Sequence, residues 1–416
     1  MTPFPSQCPV PVVLLGGVSL VRTLGLAGIP AIVATSDPDE PALASRHCTQ
    51  HHRIPRVDSG APCLEALMAL GARLSNEYGG RVPLMYGGDD ALGLVNDHSA
   101  RLSRYYRFLL NDREVGGALI AKDRFGTFAR HRGLPVPRAL AWKGDGRGTV
   151  RGTEGAVVAK PSEKFDWHHS ALCTELFGGD GKALVFESGA AAAADAGVAA
   201  HYAELTFQEY LPGGDEELWS YHGFADDEGH VLAAFTGRKV RTYPAVTGES
   251  AFIELAENDG LAEVGRYVAR RCPLKGFFKM DFKRDPRNGR WHLLEINARC
   301  TLWHYIGAAN GVNLMRVAYD YLLTGERPEQ RAAVQRYRWL SLELDFKAYR
   351  EMSRKGELTA ARWLGSVLMS RNLYALFSWS DPGPWLFFWR RRIARRLHRG
   401  PARFASRLRQ WRATAS

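Results

Sequence analysis

Gly276–Arg299 reads GFFKMDFKRDPRNGRWHLLEINAR. Phe277–Lys283 alternates apolar with charged residues. Asp285-Pro286-Arg287-Asn288-Gly289 is turn chemistry, because Asn-Gly tolerates positive φ. Trp291–Ile296 is the return strand. With a loop of about five residues the hairpin sets Asp281 opposite Glu295, and cross-strand neighbours sit roughly 5 Å apart. Glu295 and Asn297 are two apart in an extended chain and face the same side. Two carboxylates that close repel unless a cation sits between them. Hard oxygen ligands without His or Cys favour Mg²⁺ or Mn²⁺. Mg²⁺ held by few carboxylates completes its shell with water and phosphates, so the patch predicts a nucleotide site. A plain hairpin with one solvated face accounts for Asp285, Arg287 and Arg290. It does not account for Glu295 and Asn297, which are embedded in the end of an apolar strand.

Asp281-x-Lys283, followed by Leu293-Leu294-Glu295-Ile296-Asn297-Ala298-Arg299, resembles the metal-binding hairpin of the ATP-grasp superfamily, in particular its carboxylate–amine ligases. The resemblance implies an α/β (α+β) fold. It has a leading parallel α/β domain and then a two-lobed ATP-binding domain with antiparallel sheets. It further implies ATP and Mg²⁺ (or Mn²⁺) as cofactors, with Asp281, Glu295 and Asn297 as metal ligands. Arg299 would offset charge on the transferring phosphoryl group.

The chain has 416 residues, enough for two or three domains with sizeable cores. No apolar run reaches the ~20 residues of a membrane-spanning helix. The N-terminus has no basic region ahead of its apolar run, so no signal peptide is expected. Six cysteines at 8, 48, 63, 173, 272 and 300 form no CxxC pair, which points away from zinc and towards a reducing, cytoplasmic compartment. The net charge of +11 is unevenly spread. Ten arginines lie between Arg390 and Arg412, with no Asp or Glu after Asp381, so the body is close to neutral and is not expected to bind nucleic acid.

Residues 10–37 read as strand, Gly16-Gly17 turn, helix and strand, a βαβ unit with a parallel sheet. The turn lacks a full G-x-G-x-x-G. It serves either as a tight turn only or, with the helix start, as a holder for a substrate's anionic group. His47, His51 and His52 fall in a polar loop as surface histidines. Ala61–Tyr78 is a helix and Val82–Tyr86 a strand. Gly87-Gly88-Asp89-Asp90 follows at the strand's carboxyl end, where open α/β sheets bind ligands, which makes Asp89 a candidate substrate contact.

Leu119–Pro137 reads as an amphipathic helix ending at Gly133 and Pro135. Lys122 lies near its start and off its apolar stripe, as a solvated lysine would. Lys160 in Val157-Val158-Ala159-Lys160-Pro161 ends an apolar strand, where an ammonium must snorkel or find an anion. In the ligases that this chain resembles, lysines in both settings reach ATP phosphates, and Lys122 and Lys160 match them. The glycine-rich loop that often follows is replaced here by Ser162–Ser170, with Gly178, Gly179 and Gly181 coming later. Lys164, His168 and His169 are further phosphate or substrate candidates.

Leu205–Leu211 is a strand whose apolar residues suit an adenine slot. By resemblance, the segment Gln208-Glu209-Tyr210-Leu211 binds ATP, with backbone groups of Glu209 and Leu211 reading the base edge. Glu217 would take the ribose hydroxyls, with Glu216 as the alternative. Arg238, Lys239 and Arg241 cluster beside a glycine-containing loop. A basic surface loop would look the same, but the resemblance places a residue there beside the transferring phosphate or substrate carboxylate, and Arg238 is the one assigned.

After about residue 325 the resemblance ends. Trp385–Trp389 is an aromatic cluster followed by Arg390-Arg391-Arg392, and Ile393, Leu397, Phe404, Leu408 and Trp411 keep near-helical spacing. An apolar face opposite arginines is the composition of a helix lying in a membrane interface. A tail packing on the body and nucleic-acid binding are the other readings. The expected organisation is 1–115, leading α/β domain; 116–205, linker helix and small lobe; 206–325, large lobe with the metal site; and 326–416, helical, basic extension. The expected activity is ATP-dependent joining of a carboxylate to an amine through an acyl phosphate, releasing ADP and phosphate. The alternatives are a carboxylase-like enzyme using bicarbonate, and an ATP-binding adaptor held on the inner face of a membrane. Small-molecule substrates and a possible homodimer are the expected partners.

Overall fold

Val12–Leu15 (β1) is apolar at every position because it is buried on both faces. It is the middle of a parallel sheet with β2 (Ala31–Thr35), β3 (Cys48–Arg53), β4 (Val82–Tyr86) and β5 (Tyr106–Arg107), in the order β3-β2-β1-β4-β5. Val13 and Leu15 join one core with helix Ala61–Glu77. Val12 and Leu14 join a second core with helix Val18–Leu26 and with Trp303 and Ile306 of helix Trp303–Ala309. The polar stretch expected as a loop around His51 is β3, an edge strand, whose open side tolerates Thr49, Gln50 and His51. The computed structural model describes residues 9–120, 122–143, 149–151, 155–162, 171–177, 183–245, 248–328 and 332–395.

A second, antiparallel sheet is built from β6 (Ala139–Lys143), β7 (Thr149–Arg151), β8 (Val157–Pro161), β9 (Leu184–Phe186) and β10 (Leu205–Glu209), in the order β7-β6-β10-β8-β9. Its core holds Leu140, Val157, Ala159, Leu172 and Phe207. Two helices, Arg113–Ile120 and Lys122–His131, lead into it where the sequence suggested one from Leu119.

The third sheet comprises β11 (Leu218–Ala225), β12 (Val231–Tyr243), β13 (Glu249–Leu255), β14 (Gly276–Arg284), β15 (Trp291–Asn297), β16 (Arg338–Leu340) and β17 (Asn372–Tyr374). Their order is β15-β14-β11-β12-β13-β16-β17, antiparallel except for β16 with β17. Helix Asp259–Arg271, capped by the Asn258 side chain, covers one face, with Gly265 against the Tyr221 ring. The opposite face, near helix Trp303–Ala309, carries the candidate site.

Residues 332–395 contribute β16 and β17 to this sheet as well as helices. Helix Leu342–Arg354 is tied to β12 by Arg241, whose guanidinium grips the buried Asp345 carboxylate at 2.6 and 3.0 Å. Trp363 Nε1 donates to the same carboxylate at 2.8 Å. Further on, Asp381 and Arg22 form an ion pair at 2.9 Å with almost no exposure on either side chain. Among the described residues no helix is long and apolar enough to cross a membrane.

Candidate active site

The hairpin β14–β15 pairs Lys279 with Asn297 and Asp281 with Glu295, so these four side chains share one face. The next pair is Phe282 with Leu293, which leaves Leu294 as the extra residue of a β-bulge. The bulge lets Leu293 and Ile296, three apart, both enter the core while Glu295 and Asn297 face outward. Asp281 is held in place: Ser220 Oγ donates to Oδ1 at 3.0 Å and Lys279 Nζ to Oδ2 at 2.6 Å. Asn297 Nδ2 donates to Glu295 Oε1 at 3.0 Å. Two carboxylates and an amide thus converge on one patch of hard oxygens.

The patch opens into a cleft of about 760 Å³ between the second and third sheets, lined by Lys160, Lys239, Lys279 and Lys283 as well as Asp281, Glu295 and Asn297. Lys160 enters from the end of β8, and Lys239 from β12. Burial lowers the pKa of Lys160 and Lys239, opposed by Glu295 for Lys160 and by Asp281 and Glu295 for Lys239. Lys283 is lowered in the same way and donates to Gly213 O at 2.8 Å. Counting Arg130 and Arg299, cations outnumber Asp281, Glu295 and Glu249 along the walls. Crowded, desolvated ammonium groups suit a polyanion that restores their solvation.

A stability consequence follows for Lys160. Its depressed pKa means that the folded protein disfavours the ammonium that the unfolded chain carries. This penalty is full at neutral pH and fades as pH rises towards the ordinary lysine value. Lys160→Met is therefore expected to raise the unfolding free energy of the nucleotide-free protein, measured in urea, by about 1 kcal/mol or more at pH 7. The gain should shrink as pH rises towards the ordinary lysine value, be nearly gone above it, and be accompanied by loss of nucleotide-induced stabilisation. A variant less stable than the parent at pH 7 would contradict the burial argument.

The other residues expected from sequence divide in two. Gln208, Tyr210 and Leu211 line the cleft, beside apolar Leu218, Leu293, Trp142 and Phe207. Arg299 lines it too, but its guanidinium grips Asp89 at 2.7 and 2.9 Å and also donates to Gly87 O at 3.0 Å. The two residues expected to meet a ligand separately are partners, and they join the hairpin to the first sheet. Glu209, Glu217 and Arg238 lie outside the cleft lining. The Glu209 carboxylate accepts from the Arg138 backbone N–H at 2.9 Å. Glu217 is gripped by Arg284 at 2.8 and 3.1 Å. Arg238 sits on the opposite face of β12, with Nε 2.6 Å from Glu254 Oε1. The alternation that turns Arg238 away turns Lys239 in. Lys122 opens its helix, but its side chain lies outside the described residues, as do residues 163–170 and 178–182 with the candidate lid, Lys164, His168 and His169. At the Gly16-Gly17 turn a Cβ on Gly17 would lie 3.5 Å from Glu40 Oε1. That helix start already faces a carboxylate, which disfavours an anion there.

The sequence named Lys239 in a cluster with Arg238 and Arg241 but pointed to Arg238 for the role, and it gave Lys279 none. The signal for Lys279 was its place two residues before Asp281 on one strand. A second acidic group, Asp226, Glu228 and His230 at the β11–β12 turn, is already neutralised by Arg327 at 2.9 and 2.8 Å.

No protein-family model matches the chain. A curated D-aspartate ligase from Enterococcus faecium (strain Aus0004) is 24% identical over 275 residues, 63% of this chain and 64% of that ligase. The match thus spans less than two thirds of that relative's length. Biotin carboxylase from Campylobacter jejuni, solved as a β,γ-ATP complex, is similar with a TM-score of 0.55 at 13% identity, covering 79% of this chain and 74% of its own. An L-amino acid ligase from Bacillus licheniformis gives 0.53 at 12% identity, covering 77% and 75%. At these identities the structural likeness is one of fold.

Proposed function

Because the chain has the ATP-grasp fold, we propose that it is an ATP-dependent ligase that joins a carboxylate to an amine. The observation that carries this is the convergence of Asp281, Glu295 and Asn297 with Lys160, Lys239 and Lys279 in one cleft. The donor set fits a hard divalent cation, Mg²⁺ or Mn²⁺, and the lysines fit phosphates. When bound, the metal supplies charge neutralisation between phosphate oxygens. Lys160 and Lys239 offset charge spreading over the phosphoryl group, and the apolar wall at Tyr210, Leu211, Leu218 and Leu293 suits a purine. Lys239, rather than Arg238, has the orientation for the phosphoryl role.

In the proposed reaction a carboxylate oxygen of the substrate attacks the γ-phosphorus, the bond to the bridging oxygen breaks and ADP leaves. The amine nitrogen then attacks the acyl carbon of the mixed anhydride, phosphate departs, and the nitrogen loses a proton to solvent. No side-chain nucleophile is required, so the protein acts by positioning and electrostatics. The similarity to a D-aspartate ligase supports an amine as acceptor.

The test is ADP release from Mg·ATP by the purified chain, scanned against pooled amino acids, other carboxylates and amines. Release that requires both a carboxylate and an amine, with a product one water lighter than the two together, is expected. Release driven by bicarbonate without an amine would replace the ligase with a carboxylase-like reaction. Saturable ATP binding without stimulated release would leave a binding protein.

A further inference from the structure

We propose that the outer face of helix 383–395 is a docking surface for an anionic lipid bilayer. The helix has two unlike sides. Its inner side is fixed to the first domain: Arg391 Nε lies 2.9 Å from Asp39 Oδ1, Arg395 pairs with the same carboxylate, and Gly383 sits against Ala44 O. Just before it, Asp381 is anchored by Arg22, by Ser45 Oγ at 2.8 Å and by the Arg46 N–H at 2.9 Å.

The outer side is apolar. Trp385, Leu386, Trp389 and Ile393 are each between 37 and 54% exposed, and the adjoining Trp379 is 90% exposed. At 3.6 residues per turn they form a stripe about 100° wide. Arg390 borders it on one side and Arg392 on the other, the Arg392 guanidinium lying 5.7 Å from the Trp389 ring centroid. A continuous apolar stripe with cations only at its margins matches a bilayer interface, where the stripe sinks to the acyl boundary and the arginines stay at headgroup level.

Charge selects among occupants. No Asp or Glu follows Asp381, and residues 396–416 add six arginines. A second copy of this face, or the chain's own remaining segment, would bring like charges against Arg390 and Arg392. Nucleic acid would need cations and stacking rings interleaved under the phosphates, whereas Leu386 and Ile393 take up one edge of the stripe and cannot stack. An anionic lipid surface answers both the stripe and its margins, each basic residue adding about 1 kcal/mol near it. Because the inner side is anchored, docking would hold the cleft-bearing body at a fixed orientation to the membrane.

The test uses the full chain in co-sedimentation with phosphatidylcholine vesicles, with and without phosphatidylglycerol. Binding is expected only with the anionic lipid and should weaken with salt. The double substitution Trp389→Asp/Ile393→Asp should lower vesicle affinity by at least about tenfold, the loss of two buried apolar side chains, with thermal midpoint unchanged because both residues are exposed. Brominated acyl chains should quench wild-type tryptophan fluorescence, and Trp385→Phe/Trp389→Phe, which keeps the apolar face, should bind with much less quenching. Failure to bind any vesicle overturns the proposal. So does undiminished binding by the aspartate variant, which would assign attachment to the basic tail alone. Loss in that variant of DNA or RNA binding, or of a dimer, without vesicle binding by the parent would assign the face to those partners instead.

Discussion

Glu295→Gln is expected to lower substrate-stimulated ADP release by about a thousandfold, about 4 kcal/mol of transition-state stabilisation. The substitution keeps size and keeps an oxygen that can accept from Asn297 Nδ2, now at 3.0 Å. It removes the charge that faces Asp281 across the hairpin. Under the proposed function a hard cation would lose one of two carboxylate ligands, so the Mg²⁺ concentration for half-maximal release should rise sharply. The fold should persist, because Leu293 and Ile296, not Glu295, fill the core beneath. Steady-state release measured across a Mg²⁺ titration checks this. Activity within a fewfold of the parent at saturating Mg²⁺ would remove Glu295 from the metal set.

The second large effect concerns stability. Asp381→Ala is expected to destabilise the protein by about 3–5 kcal/mol, because it strands a buried guanidinium. Arg22 Nε and Nη2 are committed to Asp381 and to the Leu376 carbonyl. Ser45 Oγ and the Arg46 N–H lose their acceptor at the same time. Burial alone would raise the Asp381 carboxyl, but the Arg46 N–H, Arg22 and Ser45 outweigh it and hold the pKa below the ordinary value. A depressed carboxylate stabilises above its unfolded pKa and loses that contribution as pH falls through the folded value. The difference between parent and variant should therefore be full at pH 7 and narrow only below about pH 4. Urea unfolding at several pH values measures it. Pairing Asp381→Leu with Arg22→Met should recover part of the loss, which Asp381→Ala alone cannot do.

The hairpin was legible because its turn residues and its alternation agree. Asn288-Gly289 closes the loop and brings Asp281 close to Glu295, although a regular count from Phe282–Leu293 would set Leu294 opposite Asp281 and the bulge supplies the last step. Lys160 stands near the end of a five-residue apolar strand, short enough for its burial to be read from its neighbours. Arg238 and Lys239 were harder. Leu232, Ala233, Phe235, Thr236 and Gly237 are all buried, so β12 is covered on both faces and its pattern does not reveal which residue faces the cleft. Glu217 read as a ligand contact because its partner, Arg284, comes from a strand 67 positions further on. The integration of the C-terminal segment was illegible for the same reason on a larger scale. Arg22 and Asp381 are 359 positions apart, and nothing local marks either as half of a pair.

The bulge at Leu294 has a consequence for how this hairpin can vary. Substitution there changes one cleft-lining side chain. Removal would set Leu293 and Ile296 two apart, the regular spacing of residues that share one of a strand's two faces. Without residue 294, Leu293 and Ile296 would both stay in the core and Glu295 would stay opposite Asp281 on the cleft face. The hairpin can thus shorten at the bulge without turning a side chain over, whereas loss of Ile296 would put Asn297 at the core position next to Glu295, so its chemistry depends on where a residue is lost as much as on which.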